Sequence, residues 1–115
     1  MIEQERMERM QQAAEFLKGE HDFKSFCATA AVVQTTVRTI YEIEVARKGD
    51  VITIRVTGGG FLYNMVRIIA GTLIEVGARK RSPESMRDIL AACDRSAAGP
   101  TAPAHGLTMI GIKFS

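Results

Sequence analysis

The stretch that most constrains this chain runs from Gly58 to Gly77, GGGFLYNMVRIIAGTLIEVG: three glycines open onto an apolar segment that contains a single arginine, Arg67. From Phe61 onward, Phe61, Leu62, Met65, Ile68, Ile69, Thr72, Leu73 and Val76 recur at helical spacing, which predicts a long helix with a broad buried face. Arg67 lies off the centre of that face. Its neighbours three and four residues away are Tyr63, Asn64, Ala70 and Gly71, so the charge sits on a strip whose C-terminal half carries almost no side chain. A mid-helix glycine costs roughly 1 kcal/mol relative to alanine, which implies that another segment approaches closely at Gly71. Arg67 then has two readings. It reaches past the helix to water while Gly71 gives a strand room to cross, or its guanidinium holds a carboxylate or phosphate in the slot that the strip makes.

The glycines themselves are a weak phosphate signal. GGGFLYN is neither a P-loop nor a dinucleotide fingerprint, and a bulged strand exit with close backbone approach explains it better.

Before the glycines the pattern has period two. Tyr41, Ile43 and Val45 share one face with Glu42 and Glu44 on the other; after the turn Arg47-Lys48-Gly49-Asp50, Ile52, Ile54 and Val56 alternate with Thr53, Arg55 and Thr57. This predicts an antiparallel hairpin with one face buried. Upstream, residues 3–18 place Met7, Met10, Ala14 and Leu17 on one face of an amphipathic helix stopped near Gly19, and HDFKSF pins Phe23 and Phe26 to the core in a short helical turn. Residues 27–36 read as a connection. Downstream, Ser82-Pro83-Glu84 starts a helix with Met86, Ile89, Leu90 and Cys93 on one face, ending near Asp94-Arg95-Ser96. A small-residue loop, AAGPTAPAHG, leads into a last strand from Leu107 to Phe114.

The expected fold is therefore α+β: one domain over residues 1–115, an antiparallel sheet with helices packed on one face, ferredoxin-like in character. At 115 residues the chain is short for a complete enzyme. Cys27 and Cys93 form no CxxC, and His21 and His105 do not flank them at ligand spacing, so no metal site is expected. The absence of a leader or a long apolar run predicts a cytoplasmic protein with free thiols and no membrane partner. Charge is uneven. Residues 1–45 hold five basic against eight acidic side chains, and residues 46–115 hold ten against five, densest at Arg79, Lys80 and Arg81. That run is either a solvated helix end or a polyanion contact.

GGGFLYNMVRIIAGTLIEVG, KRSPESM and DRSAAGPTAPAHGL, together with HDFKSF and VRTIYEIEV, resemble the C-terminal half of the bacterial tRNA pseudouridine synthase A family, from about Met10 to Phe114. The resemblance implies a cofactor-independent isomerase that converts uridine to pseudouridine in the tRNA anticodon stem-loop, built of two related α+β halves and paired as a homodimer. The family's nucleophile is an aspartate in an RxxGRTDxGVHA loop of the N-terminal half. None of Asp22, Asp50, Asp88 and Asp94 sits in such a loop, so the role passes to none of them and the chain alone is expected to be inactive. By the same resemblance Arg67 is the ion-pair partner of that aspartate, and Leu107 is the apolar residue at the base pocket. Asn64, Arg79, Lys80 and Arg81 are candidate RNA contacts. Many relatives open this helix with FLHHMVR, where Tyr63 and Asn64 stand here. A free-standing RNA-binding module would need exposed aromatics on its sheet, and Tyr41 and Phe114 both fall on faces expected to be buried. A dimerisation module would leave Arg67 and the small-residue loop unexplained.

Overall fold

The computed structural model describes residues 3–28, 34–49, 51–62, 64–102 and 108–110. In chain order these form α1 (Glu3–Glu15), β1 (Gly19–Asp22), a 3-10 turn (Lys24–Phe26), β2 (Val37–Lys48), β3 (Val51–Gly59), α2 (Met65–Gly77), α3 (Ser85–Ala92), a second 3-10 turn (Arg95–Ala97) and β4 (Thr108–Ile110). The strands make one sheet in the order β1-β2-β3-β4. β1, β2 and β3 are antiparallel, as expected for the hairpin, whereas β4 joins β3 in parallel, with Ile54 opposite Met109. The return strand follows two helices that cross the sheet, and a chain carried back over one face can re-enter alongside β3 in the same direction. The rest of the expected final strand, with Leu107 and Phe114, lies outside the described residues.

Helices cover one face. Ile40, Ile43, Ile54 and Val56 point into a core with Met10, Leu17, Phe23, Phe26, Met65, Ile68, Ile69, Leu73 and Met86, all at most 1% exposed. Burying each such side chain stabilises by about 1.5–3 kcal/mol relative to leaving it in water. Glu42, Glu44 and Arg55 are exposed on the strands, with Glu44 and Arg55 paired at 3.9 Å. Phe23 and Phe26 meet edge-on within this core.

One phase in the hairpin differs from expectation. Register slips between Ile40, which pairs with Gly58, and Glu42, which pairs with Thr57. Tyr41 is the extra residue of a bulge, and the alternation inverts across it: Ile43 is inward as expected, but before the bulge Ile40 is inward and Tyr41 is 53% exposed. Gly58 sits opposite the slip, where a Cβ would stand 2.6 Å from the carbonyl oxygen of Thr39. The close approach expected at the glycines is therefore present, with the extra residue on the partner strand.

β1 is an addition, since GEHD has no β-former and read as a helix stop. It pairs only Val37 to Ile40 of β2. Beyond Ile40 no strand among the described residues pairs with that edge of β2, and α1 covers it with Gln11, whose amide nitrogen donates to Ile43 O at 3.1 Å and whose oxygen accepts from Val45 N at 2.8 Å. The carbonyls at the far end of α2 are met the same way. Arg9 donates to Val76 O at 3.1 Å and to Arg81 O at 2.8 Å. Buried Ser25 joins the first 3-10 turn to the end of α3, donating to Ile89 O at 2.7 Å and accepting from Asp94 N at 2.9 Å.

Candidate functional site

α2 begins at Met65, later than its apolar pattern does, because Gly60 and Asn64 take left-handed φ of 57° each and turn the chain between β3 and the helix. Asparagine is among the few non-glycine residues that adopt this region readily. The helix is buried on almost every side by the sheet, α1 and the segment 97–102. Arg67 is half-buried on it.

The segment after the second 3-10 turn, rather than a strand, makes the close approach at Gly71. A Cβ there would lie 1.8 Å from the carbonyl oxygen of Pro100, so the main chain rests directly on the helix. Gly99 N donates to Thr72 Oγ1 at 2.9 Å, and the Thr72 hydroxyl donates to Ile68 O at 2.9 Å. Arg95 reaches over from the other side, giving Nη1 to Gly99 O at 2.8 Å and Nη2 to Thr101 Oγ1 at 3.3 Å. The contact ends in a reciprocal pair. Ala102 N donates to Arg67 O at 3.0 Å, and Arg67 Nε donates to Ala102 O at 2.8 Å. Arg67 Nη1 reaches the side-chain oxygen of Asn64 at 3.4 Å, a long contact.

Both side-chain partners of Arg67 are neutral. Among the described residues no carboxylate lies within ion-pair distance of it, while its remaining N–H groups are left for another acceptor. Carbonyl, amide and small-residue wall thus hold a guanidinium in one direction without neutralising it. Such a group binds an anion and favours the ionised form of a carboxylic acid. Beside it lies a cavity of about 350 Å³ lined by Gly71, Ile74, Glu75, Lys80, Pro100, Thr101 and Ala102.

The basic run is not one surface. Arg79 Nη2 pairs with Glu5 at 2.8 Å, and Arg81 pairs with Glu75 at 2.7 Å while donating to Ala97 O at 2.9 Å. Only Lys80 of the three carries no ion pair among the described residues, and it borders the cavity. Of the other expected site residues, Asn64 stands beside Arg67, and Leu107 lies outside the described residues, as does Tyr63. Sequence reasoning missed Arg95 and Thr72. The signal for Thr72 was a lone hydroxyl in an apolar helix beside Gly71; Arg95 was legible only as the residue preceding the loop.

Two groups nearby have shifted acidities. Asp94 is held below the ordinary 3.8 because its carboxylate accepts from Ser96 N and from the Ser96 hydroxyl. Burial raises the Cys93 thiol, with the charge of Asp22 adding to it. Cys93 sits just past the end of α3 with φ 48°, half-buried rather than a core helix residue. Among the described residues no group of metal-ligating side chains forms a site.

The molecule is thus an α+β domain with one four-stranded sheet and, on α2, an oriented arginine that meets no carboxylate among the described residues. The chain belongs to the tRNA pseudouridine synthase family, whose sequence profile matches residues 13–115. It is 58% identical over 108 residues to tRNA pseudouridine synthase A of Brevibacillus brevis, covering 94% of this chain and 44% of that protein. The enzyme of the same name from Bacillus subtilis is 52% identical over 105 residues, 91% of this chain and 42% of the relative. That of Syntrophomonas wolfei is 46% identical over 109 residues, 95% and 44% respectively. The chain thus spans less than half the length of these relatives.

Proposed function

We propose that this chain works as part of a tRNA pseudouridine synthase, supplying Arg67 to a nucleophilic aspartate carried by an N-terminal half, and that tRNA is bound across the joined halves. The observation that carries this reading is the guanidinium of Arg67, fixed by Ala102 O and Asn64 and matched by no carboxylate among the described residues. The reaction is an isomerisation. The bond from C1′ to N1 breaks, the bond from C1′ to C5 forms, and the proton leaving C5 is balanced by one gained at N1. The aspartate must be ionised to act as a nucleophile, and an adjacent guanidinium lowers its pKa. The detached base must turn in place without losing its position, which a rigid wall such as 99–102 favours. Pairing as a homodimer and a cytoplasmic location belong to the same proposal.

The test replaces the matching segment of the Brevibacillus brevis relative with this chain and follows pseudouridine formation in an anticodon stem-loop RNA. The chimera is expected to be active, Arg67→Ala to lose about 10²–10³-fold in kcat, and the 115-residue chain alone to be inactive. Full activity of Arg67→Ala in the chimera, or turnover by the chain alone, overturns the proposal.

A second reading gains one observation. Tyr41 is exposed on its bulge, so the sheet does present an aromatic side chain that a base could stack on, as a free-standing RNA-binding module requires. Binding by the chain alone separates the two readings.

A further inference from the structure

Arg95 is the side chain that reaches Arg67's wall from outside the helix, and it does so on both sides of a residue that cannot tether itself. Pro100 is pressed onto Gly71, yet proline has no N–H with which to hold its place. The Arg95 fork spans it, taking Gly99 O at 2.8 Å with Nη1 and Thr101 Oγ1 at 3.3 Å with Nη2. The fork springs from the 3-10 turn Arg95–Ala97, which is fixed in turn by the Asp94 carboxylate at 2.9 Å from Ser96 N. Thr72 ties the same stretch from below through Gly99 N at 2.9 Å. Downstream of these tethers, Ala102 O receives Arg67 Nε at 2.8 Å.

We infer that Arg95 is a positioning residue for Arg67, acting through the main chain of 99–102 and supported by Thr72. The inference rests on the reading that Arg67 meets a carboxylate. Among the described residues Arg95 donates to Gly99 O and Thr101 Oγ1 and to no group of Arg67. Its effect on chemistry passes through the direction in which Ala102 O holds the Arg67 guanidinium. A planar fork is required because two acceptors flank the proline, and a lysine ammonium presents no such pair of parallel donors.

Two measurements test this. In the chain itself, the Nε–Hε NMR signal of Arg67 reports the bond to Ala102 O without any catalysis. Wild type and Thr72→Ser are expected to show a shifted, slowly exchanging signal, and Arg95→Ala, Arg95→Lys and Thr72→Val one that moves toward solvent-exposed arginine. An unchanged signal in folded Arg95→Ala overturns the inference. If Arg95→Ala does not fold, the contrast between Thr72→Val and Thr72→Ser decides it by the same signal, and an identical signal in those two counts against it. In the chimera, Arg95→Ala is expected to lower kcat about 10- to 100-fold with little change in KM, since small displacements of a positioned group cost about that much. Combined with Arg67→Ala it is expected to add nothing, because both variants remove one function. Losses that multiply overturn the inference. An altered Arg67 signal with undiminished turnover of Arg67→Ala instead leaves the positioning intact and refutes the functional reading alone.

Discussion

At the scale of single residues, glycine is where sequence and structure agree most closely, and the agreement can be tested by adding one methyl group. Gly71→Ala gains roughly 1 kcal/mol of helix propensity. The new Cβ, however, would meet the Pro100 carbonyl oxygen at 1.8 Å, and that oxygen is main chain between Gly99, held by Thr72 and Arg95, and Thr101, held by Arg95. The clash outweighs the propensity gain, and a net loss of about 1–3 kcal/mol is expected. Gly77→Ala provides the contrast. Its Cβ would meet Met10 Cγ and Sδ at 2.9 Å, atoms of a side chain with rotatable bonds rather than of tethered main chain, so a smaller change in stability is expected. Thermal unfolding of the two variants checks the order, and Gly71→Ala as stable as Gly77→Ala would contradict it. The small-residue strip was legible because glycine in a helix needs a reason. Its partner was not, because a loop of alanine, proline and glycine leaves no periodic trace; a crossing strand was the default. Nor could spacing reveal that Arg95 and Thr72 would grip that loop, since each reaches a main-chain group of Gly99 and the one side chain Arg95 meets there is a small hydroxyl, Thr101.

At the scale of elements, period two located β2 and β3, and period 3.6 located α1, α2 and α3. The errors fall where main-chain geometry overrides side-chain pattern. The bulge at Tyr41 inverts the faces without altering the sequence alternation on either side. β1 forms because an unpaired edge of β2 accepts it, not because GEHD favours a strand. The parallel entry of β4 depends on the path of two helices, which no local signal encodes. The turn Arg95–Ala97 carries a pH dependence of definite sign. Folded Asp94 has a pKa below its ordinary 3.8, so its contribution is present above that value and is lost as pH falls through the lower folded value. The turn is therefore expected to be intact at neutral pH and to loosen below about pH 4. Amide exchange at Ser96 followed down the pH scale measures it. Asp94→Asn, which keeps an acceptor and removes the charge, should weaken the turn less than Asp94→Ala and remove the acid transition. Persistence of that transition in Asp94→Asn would assign it to another group.

At the scale of the whole molecule, the uneven charge was legible in the sequence, but its meaning was not. Arg79, Lys80 and Arg81 are adjacent in the chain yet have three different positions in the fold. Arg79 faces Glu5, Arg81 is bound to Glu75 and to Ala97 O and lends its carbonyl to Arg9, and Lys80 stands at the cavity rim. An exposed pair such as Arg79 with Glu5 contributes little stability, about 0–1 kcal/mol, whereas Arg81 links α1, α2 and the segment that carries Arg95. The expected outcomes therefore separate. Arg81→Ala should lower the unfolding temperature, and any loss of RNA affinity that accompanies it follows from the fold. Lys80→Ala should leave the unfolding temperature unchanged. If this chain holds anticodon stem-loop RNA by itself, Lys80→Ala should flatten the salt dependence of binding by about 0.7–0.9 in log–log slope, the signature of one lost phosphate contact. Tyr41→Ala should then weaken binding at every salt concentration alike, because stacking releases no counterions. Absence of RNA binding by the chain, alongside an active chimera, would place the RNA grip in the joined halves and refute the module reading. Salt-dependent binding that Lys80→Ala leaves untouched would show that the cavity rim is not where the phosphate lies.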